Sequence, residues 1–347
     1  MEDLVNIAMI TDNNYVKPTI IAITSLKYNK LENTNYKIYI LTTNLSNKNI
    51  NLLKKCQAND IEIEILNKNN IVENFQGINQ DRHVTPAALI KFFLPQIFPN
   101  LDKILYLDGD ILIQKDLKKL YDTDIKQNYA AVVKDTLGVL DRKHMNKIDI
   151  KNEFYFNSGV MLLNLEKMRQ DNITDKLIEF RISKKQHFMD QDAFNGVVGH
   201  NVEYMSYKYN FLNYYLTVMS VQNLSKLFNE ILPLEEKSIY ENCAIIHLGG
   251  KEKPWNYDLG YLTDLYEYYH KKSILKHRKI GKIYKIIFNR ILNNIISFKE
   301  YEYKKIFIIF GIKIKFKDKQ KEQLYILENK INNISTQINE IKKLINN

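Results

Sequence analysis

Short apolar runs alternate with stretches of helical periodicity over the first 133 residues, and no other feature restricts the fold of this chain as much. VNIAMIT (5–11), KIYILT (37–42), IEIEIL (61–66), KILYL (103–107) and AAVV (130–133) have the length and composition of buried strands. Between them, helices are predicted from about 18 to 28, 47 to 57 and 86 to 97. Strands that alternate with helices predict an α/β fold, with a mainly parallel sheet covered on both faces. Ligands of such sheets bind beyond the carboxyl ends of the strands, so the polar residues directly after each strand are the first candidates for a site.

A chain of 347 residues with 45% hydrophobic content can bury a sizeable core. Its net charge of +10 is concentrated in one segment. Residues 271–320 hold 15 Lys and Arg against Glu300, Glu302 and Asp318, a net of +12, which leaves −2 for everything else. The two cysteines, Cys56 and Cys243, are expected to stay reduced, as in a cytosolic compartment. The acidic start MEDLVNIAMITDNN lacks the basic region of a secretory signal, and no run of 18 apolar residues suggests a membrane span. Three regions are expected: a catalytic domain over 1–270, a basic segment over 271–320 and a terminal helix over 321–347.

The sharpest local signal is Asp108-Gly109-Asp110, directly after KILYL. Two close carboxylates repel unless a cation lies between them, and the glycine allows a turn and the approach of a ligand. An ordinary acidic turn is the plainer alternative. His247 closes the strand-like CAIIH and precedes Gly249, Gly250 and Lys253. An imidazole added to two carboxylates favours a transition ion such as manganese, with magnesium as an alternative. Gly250 lets backbone N–H groups approach phosphate, and Lys253 supplies a point charge. Trp255, the only tryptophan, is as well explained by core packing as by a ligand.

KILYLDGD, FYFNSGVMLLNL (154–165), MDQDAFN (189–195) and HLGGKEKPW, in that order, resemble glycosyltransferase family eight from about Asn6 to Trp255. The resemblance implies a GT-A fold, a UDP-sugar donor, manganese and retention of anomeric configuration. By position it implies Asp108, Asp110 and His247 as metal ligands, and Thr11, Asp12, Asn14 and Tyr15 as contacts to uracil and ribose. Asp12 or Asn13 as a helix N-cap is the structural alternative. Asn157 matches a position near the donor sugar, although Asn-Ser-Gly is also turn chemistry. Asp190 and Gln191 match the segment at the reacting sugar, with Gln191 opposite the leaving group. Lys91 stands where family members usually carry Arg. Lysine offers one mobile charge in place of a fixed fork, so its contact is with the diphosphate or differs at the sugar.

In the basic segment, apolar residues from Ile280 to Phe298 recur at three- and four-residue steps, predicting an amphipathic helix over 279–299 that suits an anionic membrane surface. KKIFIIFGIKIKFK (304–317) alternates about Gly311 like a hairpin. Leu324, Leu327, Ile331, Ile334, Ile338, Ile341 and Ile345 step 3-4-3-4-3-4, the seam of a short coiled coil and a homo-oligomer. No nucleic-acid-binding motif accompanies the charge. The reading is therefore a retaining, metal-dependent hexosyltransferase, for galactose or glucose. It would act on a lipid-linked glycan of the lipopolysaccharide core type, in the cytoplasm and peripheral to the inner face of the membrane. A glycogenin-like protein- or self-glycosylating enzyme and a noncatalytic membrane scaffold are the alternatives.

Overall fold

The structure, a computed structural model, describes residues 4–73, 86–150, 154–183 and 189–275, and the backbone of three further strands at 296–301, 304–309 and 312–317. The chain divides into two compact units, Met1–His277 and Arg278–Asn347.

Ten strands belong to the first unit: β1 (Leu4–Ile10), β2 (Asn35–Thr42), β3 (Ile61–Asn67), β4 (Lys103–Leu107), β5 (Ile111–Ile113), β6 (Ala130–Lys134), β7 (Phe156–Asn164), β8 (Val202–Tyr204), β9 (Phe211–Leu212) and β10 (Ile245–His247). Seven of them form one sheet in the order β3-β2-β1-β4-β7-β6-β8. Only β7 runs against its neighbours; the β3–β2, β2–β1, β1–β4 and β6–β8 pairs are parallel. The sheet is thus mainly parallel, as the alternation predicts. Side chains alternate between its faces. Ile7, Leu105 and Leu107 pack on the helix Val16–Asn29, while Ala8, Ile104 and Tyr106 pack on the other side with Phe92, Leu177 and Phe194. Helices therefore cover both faces.

The predicted helix over 86–97 is mostly tighter: Pro86–Phe93 is 3-10, and only Leu94–Ile97 is α-helical. Pro95 has no N–H to donate, so it sits at the start of the α-turn, where no donor is needed.

A second sheet, β5-β10-β9, lies beyond the first. Between β4 in the large sheet and β5 in the small one stand only Asp108, Gly109 and Asp110. A Cβ on Gly109 would lie 2.5 Å from Thr19 Oγ1, so the close approach it permits is to the helix Val16–Asn29. β10 pairs antiparallel with β5, matching His247 to Ile111, and parallel with β9, matching His247 to Leu212. Cys56 and Cys243 are free and buried, and burial pushes the Cys56 thiol up to about 12.

In the second unit, β11 (Ile296–Tyr301), β12 (Lys304–Ile309) and β13 (Ile312–Lys317) form an antiparallel sheet, and β12 and β13 make the expected hairpin. The amphipathic helix expected over 279–299 is corrected at its end, because residues 296–299 are strand. Ile296 and Phe298 stand two apart, as in a strand, and each residue of ISFKEY pairs across with KKIFII in register, which satisfies the backbone through a ladder. Residues 279–295 and the heptads from Leu324 to Ile345 lie outside the described residues. No helix among the described residues is long and apolar enough to cross a membrane.

Candidate active site

The topology brings distant residues to one end of the large sheet. β1 and β4 are parallel, with Met9 opposite Leu107, so Thr11-Asp12 and Asp108-Gly109-Asp110 leave the sheet together. β7 enters where β4 leaves, with Val160 opposite Leu107, which sets Asn157, Ser158 and Gly159 beside Asp108. β6 ends at the same place, with Lys134 opposite Phe156, and Asp135 follows it. Asp108 N–H donates to Gly159 O at 2.8 Å, and Leu248 N–H to Asp110 O at 2.8 Å, fixing the corner to both sheets.

Asp108, Asp110 and His247 each offer a ligand atom within 4.8 Å of the others, a grouping that could hold a metal ion. His247 Nε2 lies 3.4 Å from Asp110 Oδ1 and 3.7 Å from Asp108 Oδ2. The other oxygen of each carboxylate faces a lysine: Lys253 Nζ is 2.6 Å from Asp110 Oδ2, and Lys91 Nζ 3.4 Å from Asp108 Oδ1. Tyr106 also donates to Asp108 Oδ1, at 2.6 Å. Burial alone would raise the Asp110 carboxyl, but His247 and Lys253 hold it well below the usual carboxylate range. The three groups meet because Gly159 has no side chain: a Cβ there would stand 2.2 Å from His247 Cε1 and 2.7 Å from Asp108 Oδ2.

Next to this cluster, the helix Met189–Val197 delivers Asp190 and Gln191 in its first turn. Its Asn195 amide holds it on β7, donating to Phe156 O and accepting from Phe156 N–H, both at 2.9 Å. Asp190 Oδ2 accepts from Lys91 Nζ at 2.5 Å and from Ser158 Oγ at 2.9 Å. Lys91 is buried over the Tyr106 ring, and it ties Asp190 to Asp108. Burial works against its ammonium, but the two carboxylates outweigh burial and raise its pKa. Gln191 is turned inward. Its Oε1 accepts from Asn157 Nδ2 at 2.9 Å and Ser158 N–H at 3.2 Å, and its Nε2 donates to Asp135 Oδ2 at 3.4 Å. The third residue of Asp-Gln-Asp, Asp192, faces away, accepting from Tyr155 Oη at 2.6 Å with His144 Nε2 at 3.0 Å.

The residues after β1 divide by role. Asp12 Oδ1 accepts from the N–H groups of Asn14 and Tyr15 at 2.8 and 2.9 Å, an Asx turn leading into the helix. Asn13 ties this turn to Asn44, Ser46 and Asn49. Thr11 is buried with its hydroxyl 3.0 Å from Thr19 Oγ1. The Tyr15 ring is half exposed, and burial, then the charges of Asp110 and Asp108, raise its pKa. Gly250 adopts φ of +75°, the left-handed conformation that glycine allows. Trp255 packs against Tyr266 at 5.4 Å between centroids, in the core around the small sheet.

Of the candidates named from the sequence, Lys91, Asp108, Asp110, Asn157, Asp190, Gln191, His247 and Lys253 are thus joined in one network, while Asp12 and Asn14 shape the turn after β1. Asp135, Ser158, Gly159 and Asn210 belong to that network and were not singled out. Asp135 directly follows AAVV and Lys134, so the rule of polar residues after strands finds it. Asn210, in a loop without local pattern, carries no such signal.

Comparison with known proteins gives this arrangement a context. The sequence profile described as "Glycosyl transferase family 8" matches residues 6–258. The chain is 28% identical over 292 residues to general stress protein A of Bacillus subtilis, covering 81% of this chain and 97% of that protein. It is 25% identical over 260 residues to lipopolysaccharide 1,2-glucosyltransferase of Escherichia coli K12, covering 73% of each. Its fold is similar to the crystal structure of galactosyltransferase LgtC in complex with donor and acceptor sugar analogues, with a TM-score of 0.65 and 24% identity, covering 80% of this chain and 100% of that one.

Proposed function

The chain belongs to glycosyltransferase family 8, and on that premise we propose that it transfers galactose or glucose from a UDP-sugar to an acceptor glycan, with retention at the anomeric carbon. The observation that carries this reading is the meeting of Asp108, Asp110 and His247, with Lys253 at Asp110 and Lys91 between Asp108 and Asp190. The donor set fits a divalent metal: two carboxylates and an imidazole within 4.8 Å, in a cradle that one methyl group at Gly159 would fill. What a divalent ion supplies there is positive charge toward the diphosphate, and manganese suits the imidazole better than magnesium.

The chain's own groups supply the rest. Lys253 brings an ammonium to the same side as Asp110 and is anchored by Leu248 O as well, so its charge is held where a diphosphate would lie. Tyr15 offers an exposed ring for the nucleotide. Asp12 keeps one carboxylate oxygen outside its Asx turn for a base N–H. On the sugar side, Asp190 presents the carboxylate and Lys91 holds it in place. Gln191, an amide with its carbonyl engaged by two donors, is a poor nucleophile and serves to shape the pocket with Asn157.

The similarity to a lipopolysaccharide glucosyltransferase supports a lipid-linked glycan as acceptor. The charge of +12 over 271–320 supports a peripheral place on an anionic membrane, each lysine there contributing about 1 kcal/mol. Removal of residues 278–347 is expected to weaken binding to phosphatidylserine vesicles in cosedimentation; binding that survives both truncation and high salt would exclude the segment.

The test of the activity is a screen of UDP-galactose and UDP-glucose with manganese, reading released UDP and following sugar into lipid-linked glycan or into the protein itself. Release of UDP from one of the two is expected, with label in the glycan. Label in the protein would favour a self-glycosylating enzyme, and no release from any UDP-hexose would refute the proposal.

A further inference from the structure

Asn210 lies between a turn at Tyr207–Tyr209 and β9, fully buried. β9 runs beside β10, and Asn213 N–H donates to His247 O at 3.0 Å, so the backbone holds Asn210 next to His247. Its amide makes two contacts. Nδ2 donates to Asn157 Oδ1 at 2.9 Å, and Oδ1 lies 3.1 Å from His247 Nδ1.

The direction of these bonds follows from a backbone group. Gly159 N–H can only donate, and it points at Asn157 Oδ1 from 2.9 Å, so that atom must be the oxygen. The atom of Asn210 that shares this oxygen must then be its nitrogen. That leaves the Asn210 oxygen facing the imidazole, and an oxygen there requires an N–H on Nδ1. When the ring is neutral, its lone pair is therefore on Nε2, the atom 3.4 Å from Asp110 and 3.7 Å from Asp108. Ser158 N–H orients Gln191 in the same way, and Asn157 Nδ2 donates to Gln191 Oε1. Two consecutive backbone N–H groups of β7 thus set the polarity of the whole network, and Asn210 is the link that carries it to His247.

We propose that Asn210 is a positioning residue that holds the His247 imidazole in the Nδ1–H tautomer, aims Nε2 between the two carboxylates, and couples this aim to the sugar-side residue Asn157. The proposal rests on the metal-site reading for its consequence but not for its geometry. A ligating histidine depends on the partner of its other nitrogen, and loss of such a partner costs about 10- to 100-fold in metal affinity.

The experiment uses the full-length chain labelled with 15N-histidine, with His247→Gln for assignment, and reads the tautomer by long-range 1H–15N correlation without metal. Manganese affinity is measured in parallel, by titration in the presence of UDP and with no turnover. The parent is expected to show Nδ1–H at His247. Asn210→Leu should lose the single tautomer and weaken manganese about 10- to 100-fold. Asn210→Asp keeps an acceptor for Nδ1–H and loses the donor to Asn157. It should hold the tautomer and stay within about threefold of the parent for manganese, a small change on the same scale, while kcat falls. An Nε2–H tautomer in the parent, or Asn210→Leu with parental tautomer and affinity, overturns the proposal. If Asn210→Leu does not fold, the parent spectrum and Asn210→Asp still decide it. If manganese fails to bind the parent, the metal-site reading falls, while the tautomer still reports on Asn210.

Discussion

Alanine at Asp110 or at His247 is expected to lower turnover by at least about a thousandfold, corresponding to roughly 4 kcal/mol of lost transition-state stabilisation. Asp110→Ala removes one carboxylate from the cluster, takes from Lys253 the carboxylate it pairs with and leaves His247 facing Asp108 alone. His247→Ala removes the one nitrogen donor and leaves Asp108 and Asp110 to repel each other. In both variants, manganese titrated in the presence of UDP should bind far more weakly than in the parent. The assay is UDP release from the donor that the parent prefers. The parent in excess EDTA should match the variants, and full activity in EDTA would remove the metal from the mechanism.

The second large effect is expected at Asp190. Its carboxylate accepts from Lys91 and Ser158, and no contact links it to Asp12 or Tyr15 among those described, in keeping with the proposed place of Asp190 at the sugar. Asp190→Asn keeps the shape and removes the charge, so it should lower kcat by about a hundredfold to a thousandfold, the usual loss when one preorganised electrostatic group is removed. UDP affinity should change by less than about threefold, because an interaction made only in the transition state affects kcat and not ground-state binding. Breaking a buried ion pair also costs stability, about 3–5 kcal/mol at most, so thermal unfolding is measured beside the kinetics. Equal losses in kcat and UDP affinity would place Asp190 at the nucleotide instead.

Six of the ten strands of the first unit were readable because burial leaves a local trace, whereas β5, β7, β8 and β9 were not. KILYL and IEIEIL occupy the strands expected of them to within a residue, and His247 stands at a strand end as CAIIH suggested. The helical stretch expected over 86–97 is found at those residues, but its 3-10 type over Pro86–Phe93 is not legible, since a run of apolar residues does not distinguish 3-10 from α-helical hydrogen bonding. The residues 296–299 were misread for a related reason: Ile296 and Phe298 fit a helical stripe as well as an alternating strand, and only pairing with β12 decides between them.

The sequence by itself determined the α/β class, the strand after which Asp108-Gly109-Asp110 stands, and the chemical type of the cluster: two carboxylates and an imidazole. Tertiary structure alone decided what these groups meet. Lys253 reaches Asp110 across 143 residues and Lys91 reaches Asp190 across 99, through a strand order in which β7 is inserted between β4 and β6. The same order sets Gly159 where any side chain would strike His247, and the pairing of β9 with β10 in the small sheet brings Asn210 to the far side of the imidazole. Periodicity records whether a residue is buried, which is a property of its own segment. The partner of a buried polar group is set by which strands lie side by side, and that is a property of the whole sheet.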